Sequence, residues 1–213
     1  MPAGEFLWRI SVRRLPLMMA VPLLLGACRE HAQNAANTDT PRARADIVVD
    51  SALPMDTLLR RFQAGLEHPR QLSHASPSRE ELTRLYLDAI ARSDTAALRD
   101  MHISRAEYAF LYFPVSQMMR EPYELPPDVA WLLLSAESGK GISATLRRFG
   151  GQRLELGTVR CPGEALREAP NVVWRDCVVR YRVEGGAERE QPLFAAILER
   201  EGRFKFFSYA TPL

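Results

Sequence analysis

Apolar positions along this chain follow two rules that change over near residue 150. Before it they recur every three or four residues, as on a helix face; after it they come in short runs or alternate. Leu58, Leu59, Phe62 and Leu66 follow Pro54 at helical spacing, and Gly65 and Pro69 lie near the end of that segment. They predict a helix of about three turns. Ser78-Arg79-Glu80-Glu81 is a capping-box sequence, and it opens a stripe of Leu82, Leu85, Tyr86, Ala89 and Ile90. Asp94 can cap a shorter helix carrying Ala97, Leu98 and Met101, and Ser104 to Glu107 repeats the capping pattern. The run Tyr108-Ala109-Phe110-Leu111-Tyr112-Phe113 then stops at Pro114. Residues 115–127 hold Pro122, Pro126 and Pro127 and read as loop. Asp128 to Phe149 reads as helix through Trp131, Leu132, Leu134, Ile142, Leu146 and Phe149. Gly139 and Gly141 weaken its middle by about 1 kcal/mol each, which predicts a bend or two helices end to end.

Beyond Gly150-Gly151 four segments read as strands: 153–161, 172–183, 192–200 and 204–210. Val173, Cys177, Val179, Tyr181 and Val183 share one parity, and Glu201-Gly202 suits a tight hairpin. With no helical pattern between them, the four predict an antiparallel meander. Helices followed by such a sheet define an α+β fold.

The N-terminus follows neither rule. Arg9, Arg13 and Arg14 precede an apolar run from Leu15 to Leu25, and small residues Gly26 and Ala27 precede Cys28. This is the layout of a secretory signal peptide, too short to span a bilayer, which needs ~20 residues. Leu25-Gly26-Ala27-Cys28 resembles the lipobox of bacterial lipoproteins. That resemblance implies diacylglycerol on the Cys28 thiol, cleavage before it and an acylated new N-terminus. The alternative is an ordinary secretory signal with Cys28 there by chance. Arg29 follows Cys28 where Asp would favour inner-membrane retention in that family, so the implied address is the outer membrane, facing the periplasm or the exterior. Residues 28–45 are polar and predict a flexible tether. The expected organisation is signal peptide 1–27, tether 28–45, an N-terminal helical extension 46–77 that includes the apolar Ile47-Val48-Val49, and one α+β domain over 78–213.

Composition narrows the function classes. Removal of 27 from the 213 residues leaves 186, enough for one real core. The net charge of +2 resides in the leader, whose three Arg and one Glu also sum to +2, so the remainder is near neutral and offers no nucleic-acid footprint. With Cys28 assigned to the anchor, Cys161 and Cys177 remain. An even remainder in an oxidising compartment predicts a disulfide, worth roughly 3 kcal/mol for a loop of this size. A metal or redox pair is the alternative, but neither CxxC spacing nor a flanking His accompanies them.

Residues 89–98, Ala-Ile-Ala-Arg-Ser-Asp-Thr-Ala-Ala-Leu, together with the closing Glu201-Gly202-Arg203 turn and Lys-Phe-Phe-Ser-Tyr strand over 205–209, resemble the NTF2-like, SnoaL-like superfamily. The resemblance implies helices packed on a curved antiparallel sheet of about four strands, a cone with an internal pocket. Residues 104–127 depart from it by supplying no clear early hairpin. The superfamily holds isomerases, dehydratases and binding domains alike, so it selects no activity.

Candidate chemistry is sparse. Tyr108, Tyr112 and Trp131 belong to an aromatic concentration that could line a pocket for an apolar ligand, or simply be core. His102 lies near Asp100, as a general base oriented by a carboxylate would, or as part of a solvated helix end. His31, His68 and His74 show no metal-ligand spacing, Ser135 and Ser138 lack a GxSxG setting, and Gly139-Lys140-Gly141 lacks the full phosphate-loop pattern. No catalytic residue, metal or cofactor is therefore assigned. The expected protein is a lipid-anchored, non-enzymatic module binding an apolar small ligand or another envelope protein; the alternative is a small-pocket isomerase or dehydratase. If Cys28 carries the lipid, globomycin makes an unprocessed precursor accumulate and Cys28→Ser releases soluble protein; unchanged processing overturns the anchor.

Overall fold

The computed structural model describes residues 53–210. Cys28, His31, the leader, the tether and Ile47-Val48-Val49 lie outside the described residues. Five α-helices precede seven strands, so the α+β class stands.

Helix α1 (Met55–Gln63) turns Leu59 and Phe62 inward, and the Gln63 amide donates to the Ala109 carbonyl at 2.9 Å. Helix α2 (Arg79–Ala91) starts at Ser78, whose hydroxyl accepts from the Glu81 amide at 3.0 Å. The returning half of that box is replaced: Glu81 pairs with Arg84 at 2.6 Å instead. Asp94 caps α3 (Thr95–Asp100), and a complete Ser104–Glu107 capping box opens α4 (Arg105–Glu107). The chain then widens into a π-helical turn over Tyr108–Tyr112, whose side chains Tyr108, Ala109, Leu111 and Tyr112 are all buried. Helix α5 (Pro127–Phe149) is one unbroken helix of 23 residues, not two end to end.

The strands correct the expected meander. They are β1 (Leu154–Arg160), β2 (Leu166–Glu168), β3 (Asn171–Arg175), β4 (Val178–Val183), β5 (Glu188–Gln191), β6 (Ala196–Arg200) and β7 (Arg203–Ser208). They form two antiparallel sheets, in the orders β1-β4-β5 and β2-β3-β6-β7. The run 172–183 is therefore two strands in two sheets, broken at Asp176, which takes a left-handed φ of 55°. Its common parity survives the break, since Val173, Cys177, Val179 and Tyr181 are all buried. Short β2 and charged β5, Glu-Arg-Glu-Gln, carry no apolar period to reveal them. The β6–β7 hairpin is the tight turn expected, with positive φ at both Glu201 and Gly202, as a type I′ turn requires. Cys161 is bonded to Cys177, tying the end of β1 to the entry of β4 across 16 residues of sequence.

The four-stranded sheet has apolar packing on both faces. One core joins Ile197 and Phe206 to α2, to the end of α5 at Phe149, and to Val179 and Tyr181 of the other sheet. The second joins Val173, Ala196 and Leu198 to α1, the π-helical turn and Ala130 of α5. The N-terminal extension packs into this second core through Leu59, Phe62 and Leu72. Residues 105–127 supply helical turns and no strand. Among the described residues no helix is long and apolar enough to cross a membrane.

The two glycines of α5 do different things. A Cβ on Gly141 would lie 1.9 Å from the Tyr209 carbonyl oxygen, whereas one on Gly139 meets nothing within 4 Å. Gly141 thus admits the end of β7 against the helix, and Gly139 only weakens it. Gly139→Ala is expected to raise stability by up to about 1 kcal/mol. Gly141→Ala is expected to lower it by more than about 2 kcal/mol, because backbone must move. Urea unfolding midpoints of the two variants check this; a stabilised Gly141→Ala would contradict the close approach.

Candidate functional site

Five residues of α5 mark one helical stripe: Trp131, Ser135, Ser138, Gly139 and Ile142, spaced by four, three, one and three residues. Four of the five are small or medium-sized, so the stripe leaves space where Leu or Phe would fill it. That space is a cavity of about 590 Å³, closed opposite α5 by α3, the 102–105 turn, Ser73 and His74, and Lys205 of β7. Its volume suits an organic small molecule.

His102 and Ser138 form a hydrogen-bonded polar pair in the wall. The His102 Nδ1 lies 2.7 Å from the Ile103 carbonyl and Nε2 lies 3.0 Å from the Ser138 hydroxyl. A carbonyl only accepts, so Nδ1 carries the proton. Nε2 then accepts from Ser138, whose oxygen in turn accepts the Tyr209 amide at 3.2 Å. Burial pushes the imidazole down to about 4, the Ile103 hydrogen bond opposes that, and the nearby Lys205 charge adds to it. The ring is therefore neutral at physiological pH. Asp100 lines the same cavity but does not reach His102; the Ile103 carbonyl occupies the position an orienting carboxylate would take. Nor is His102 a solvated helix end, since its ring lies against Tyr209, centroids 5.4 Å apart, and near Trp131 at 6.4 Å.

Of the four expected pocket residues, His102 and Trp131 line the cavity, and Tyr108 and Tyr112 do not. Both tyrosines are core. Tyr108 is 1 % exposed and packs behind Trp131 at 5.2 Å, while Tyr112 is 3 % exposed and packs on Phe207 at 4.5 Å. Burial, and then the charge of Glu168, raises both phenols above their ordinary range. A cluster of aromatics on one helical run cannot all face one space, and here none of that run lines the cavity, whereas Trp131 of α5 does.

Lys205 forms the buried back of the cavity. It is 1 % exposed, and its ammonium donates to Glu107 at 2.9 Å. Burial raises the Glu107 carboxyl, but Lys205 and the amides of Ser104 and Ser73 outweigh it and hold the group below its ordinary value. Arg99 and Arg105, both exposed, stand at the opening. Among the described residues no group of three or more His, Cys, Asp or Glu is placed to hold a metal ion. Among the cavity residues that sequence reasoning missed are Arg99, Arg105, Lys205, Ser73 and the small side of α5. The last has a legible signal, Ser135, Ser138 and Gly139 at helical spacing beneath Trp131.

Set against family models, curated proteins and solved structures, the chain matches none.

The His102 shift fixes a pH dependence. Between about 6.5 and about 4 the unfolded ring binds a proton that the folded ring refuses. Stability therefore falls as pH drops through that window and levels off below it, by at most about 3 kcal/mol. Glu107 acts lower: its contribution is present above its unfolded value of 4.5 and is lost as pH falls through the lower folded value. Urea midpoints at pH 7 and pH 5 should show a smaller loss for His102→Gln than for the unsubstituted protein; equal losses would show that His102 does not carry the effect.

Proposed function

We propose that this is a lipid-anchored protein of the bacterial cell envelope, held through Cys28, whose α+β domain binds a small, largely apolar ligand between α5 and the 102–105 turn. The observation that carries the binding is the 590 Å³ cavity, with Trp131 and Ile142 on one wall and Ile103 on another. An indole face and two isoleucines favour a ring-bearing or branched apolar body, and His102 and Ser138 offer it no charge. The NTF2-like reading of the fold belongs to this proposal. The closing hairpin and the capped helices support it; the absence of strands from residues 105–127 and the division into two sheets weigh against a simple cone.

Two other readings have an observation each. Helix α5 exposes Leu132 at 64 % and Leu133 at 55 %, beside Val129, as a protein-docking face would. The enzyme reading of the isomerase or dehydratase kind has His102 in the cavity. A ring with its pKa near 4 and no carboxylate behind it is a weak general base, so binding is favoured over catalysis.

A neutral bicyclic probe, 1-naphthamide, tests the binding. With the full chain in dodecyl maltoside and protein-free micelles as reference, equilibrium dialysis should show saturable retention. Trp131→Ala should weaken it about fivefold to tenfold, while Leu132→Ser, one residue on but facing outward, should leave it unchanged. Equal effects of the two variants, or no retention at all, overturn the ligand cavity.

A further inference from the structure

The opening of the cavity differs from its floor in charge. Lys205 at the back is answered by Glu107, 2.9 Å away, and His102 is neutral. Arg99 and Arg105 at the rim have no such answer: among the described residues neither makes an ion pair or a side-chain hydrogen bond. Asp100 is the one acidic residue in the lining, and it is exposed.

Arg105 is nevertheless held in place. Its guanidinium carbon sits 4.7 Å over the ring of Phe62, a side chain of the second core that is only 4 % exposed. A guanidinium held over a ring by cation–π attraction makes no hydrogen bond to it, so its N–H donors stay available. The contact therefore restrains the group while leaving its hydrogen-bonding capacity unspent. An anion docking there meets a pre-oriented fork and orders no floppy side chain, which is the condition for a planar oxyanion to bind bidentately. Below the rim the walls turn apolar, at Ile103, Trp131 and Ile142.

We infer that the ligand of this cavity is an organic anion: a compact apolar body seated against Trp131 and Ile142, with a carboxylate or similar oxyanion held at the mouth by Arg105 and assisted by Arg99. The inference rests on the ligand-cavity reading and adds to it the charge of the ligand and its direction of entry, apolar end first. Two arginines against one carboxylate, Asp100, disfavour a cation, which would face two guanidiniums on the way in.

Two probes of one shape and different charge test it, 1-naphthoate and 1-naphthamide, measured by equilibrium dialysis on the full chain in dodecyl maltoside with protein-free micelles as reference. The carboxylate should bind about tenfold to a hundredfold more tightly than the amide. Arg105→Met keeps a flexible apolar stem over Phe62 and removes the fork, so it should abolish most of that preference, lowering 1-naphthoate affinity about tenfold or more and 1-naphthamide affinity by no more than about threefold. The preserved amide binding is the control for folding. Arg105→Lys should recover only part of the preference, because an ammonium lacks the planar fork. Naphthamide binding that depends on Trp131, with no preference for naphthoate or a preference indifferent to Arg105→Met, overturns the anion assignment and leaves the cavity reading standing. Failure of both probes to bind overturns the cavity reading itself.

Discussion

One carboxylate holds three separated parts of this protein together. Glu107 Oε1 accepts from the Ser73 amide and hydroxyl, at 2.6 and 2.8 Å, and Oε2 accepts from the Ser104 amide and the Lys205 ammonium, at 2.7 and 2.9 Å. The connection before α2, the start of α4 and strand β7 therefore converge on a side chain that is 1 % exposed. A buried ion is destabilising unless charge and hydrogen bonds both answer it, and here every lone-pair direction is answered. Such an arrangement specifies geometry more than it adds stability: an apolar substitute could fill the space but would not say where Ser73 and Ser104 must sit. Those two residues flank the cavity, so the pair defines its shape from behind.

The cavity exists because several economies of size fall together. Ser135, Ser138 and Gly139 leave the face of α5 shallow beneath Trp131, and Gly141 lets the Tyr209 backbone approach the same helix. Ser138 then serves two neighbours at once, donating to His102 and accepting from Tyr209. A hydroxyl in that position links the 102–105 turn to the end of β7 through α5. The floor consequently carries no unanswered charge, while the arginines of the rim stay free.

Helices were legible in the sequence because amphipathic period and capping chemistry agree. Ser78, Asp94 and Ser104 each cap a helix, and α2 and α5 start within a residue of the expected positions. The disulfide followed from counting, since assigning Cys28 to the anchor leaves two of the three thiols and so one pairing. Sheet organisation was not legible. Nothing in Trp174-Arg175-Asp176-Cys177 announces that the chain leaves one sheet for another, because only the backbone of Asp176 changes. The site was half legible: Trp131 and His102 are chemically conspicuous, but Arg99 and Arg105 look like any surface charge until Phe62, more than forty positions earlier, is seen beneath one of them. Tyr108 and Tyr112 misled for the opposite reason, since aromatic density marks a core as readily as a pocket.

The outermost strand of the smaller sheet, β5, is written almost wholly in alternating charge, and its Glu190 is engaged by both Arg160 and Arg180. An uncovered strand edge invites any extended chain to add itself by backbone hydrogen bonding. A neighbouring polypeptide approaching this one would have to displace a bound lattice of opposite charges and bring its own side chains into register with them. A border strand of this composition disfavours templated growth along that margin.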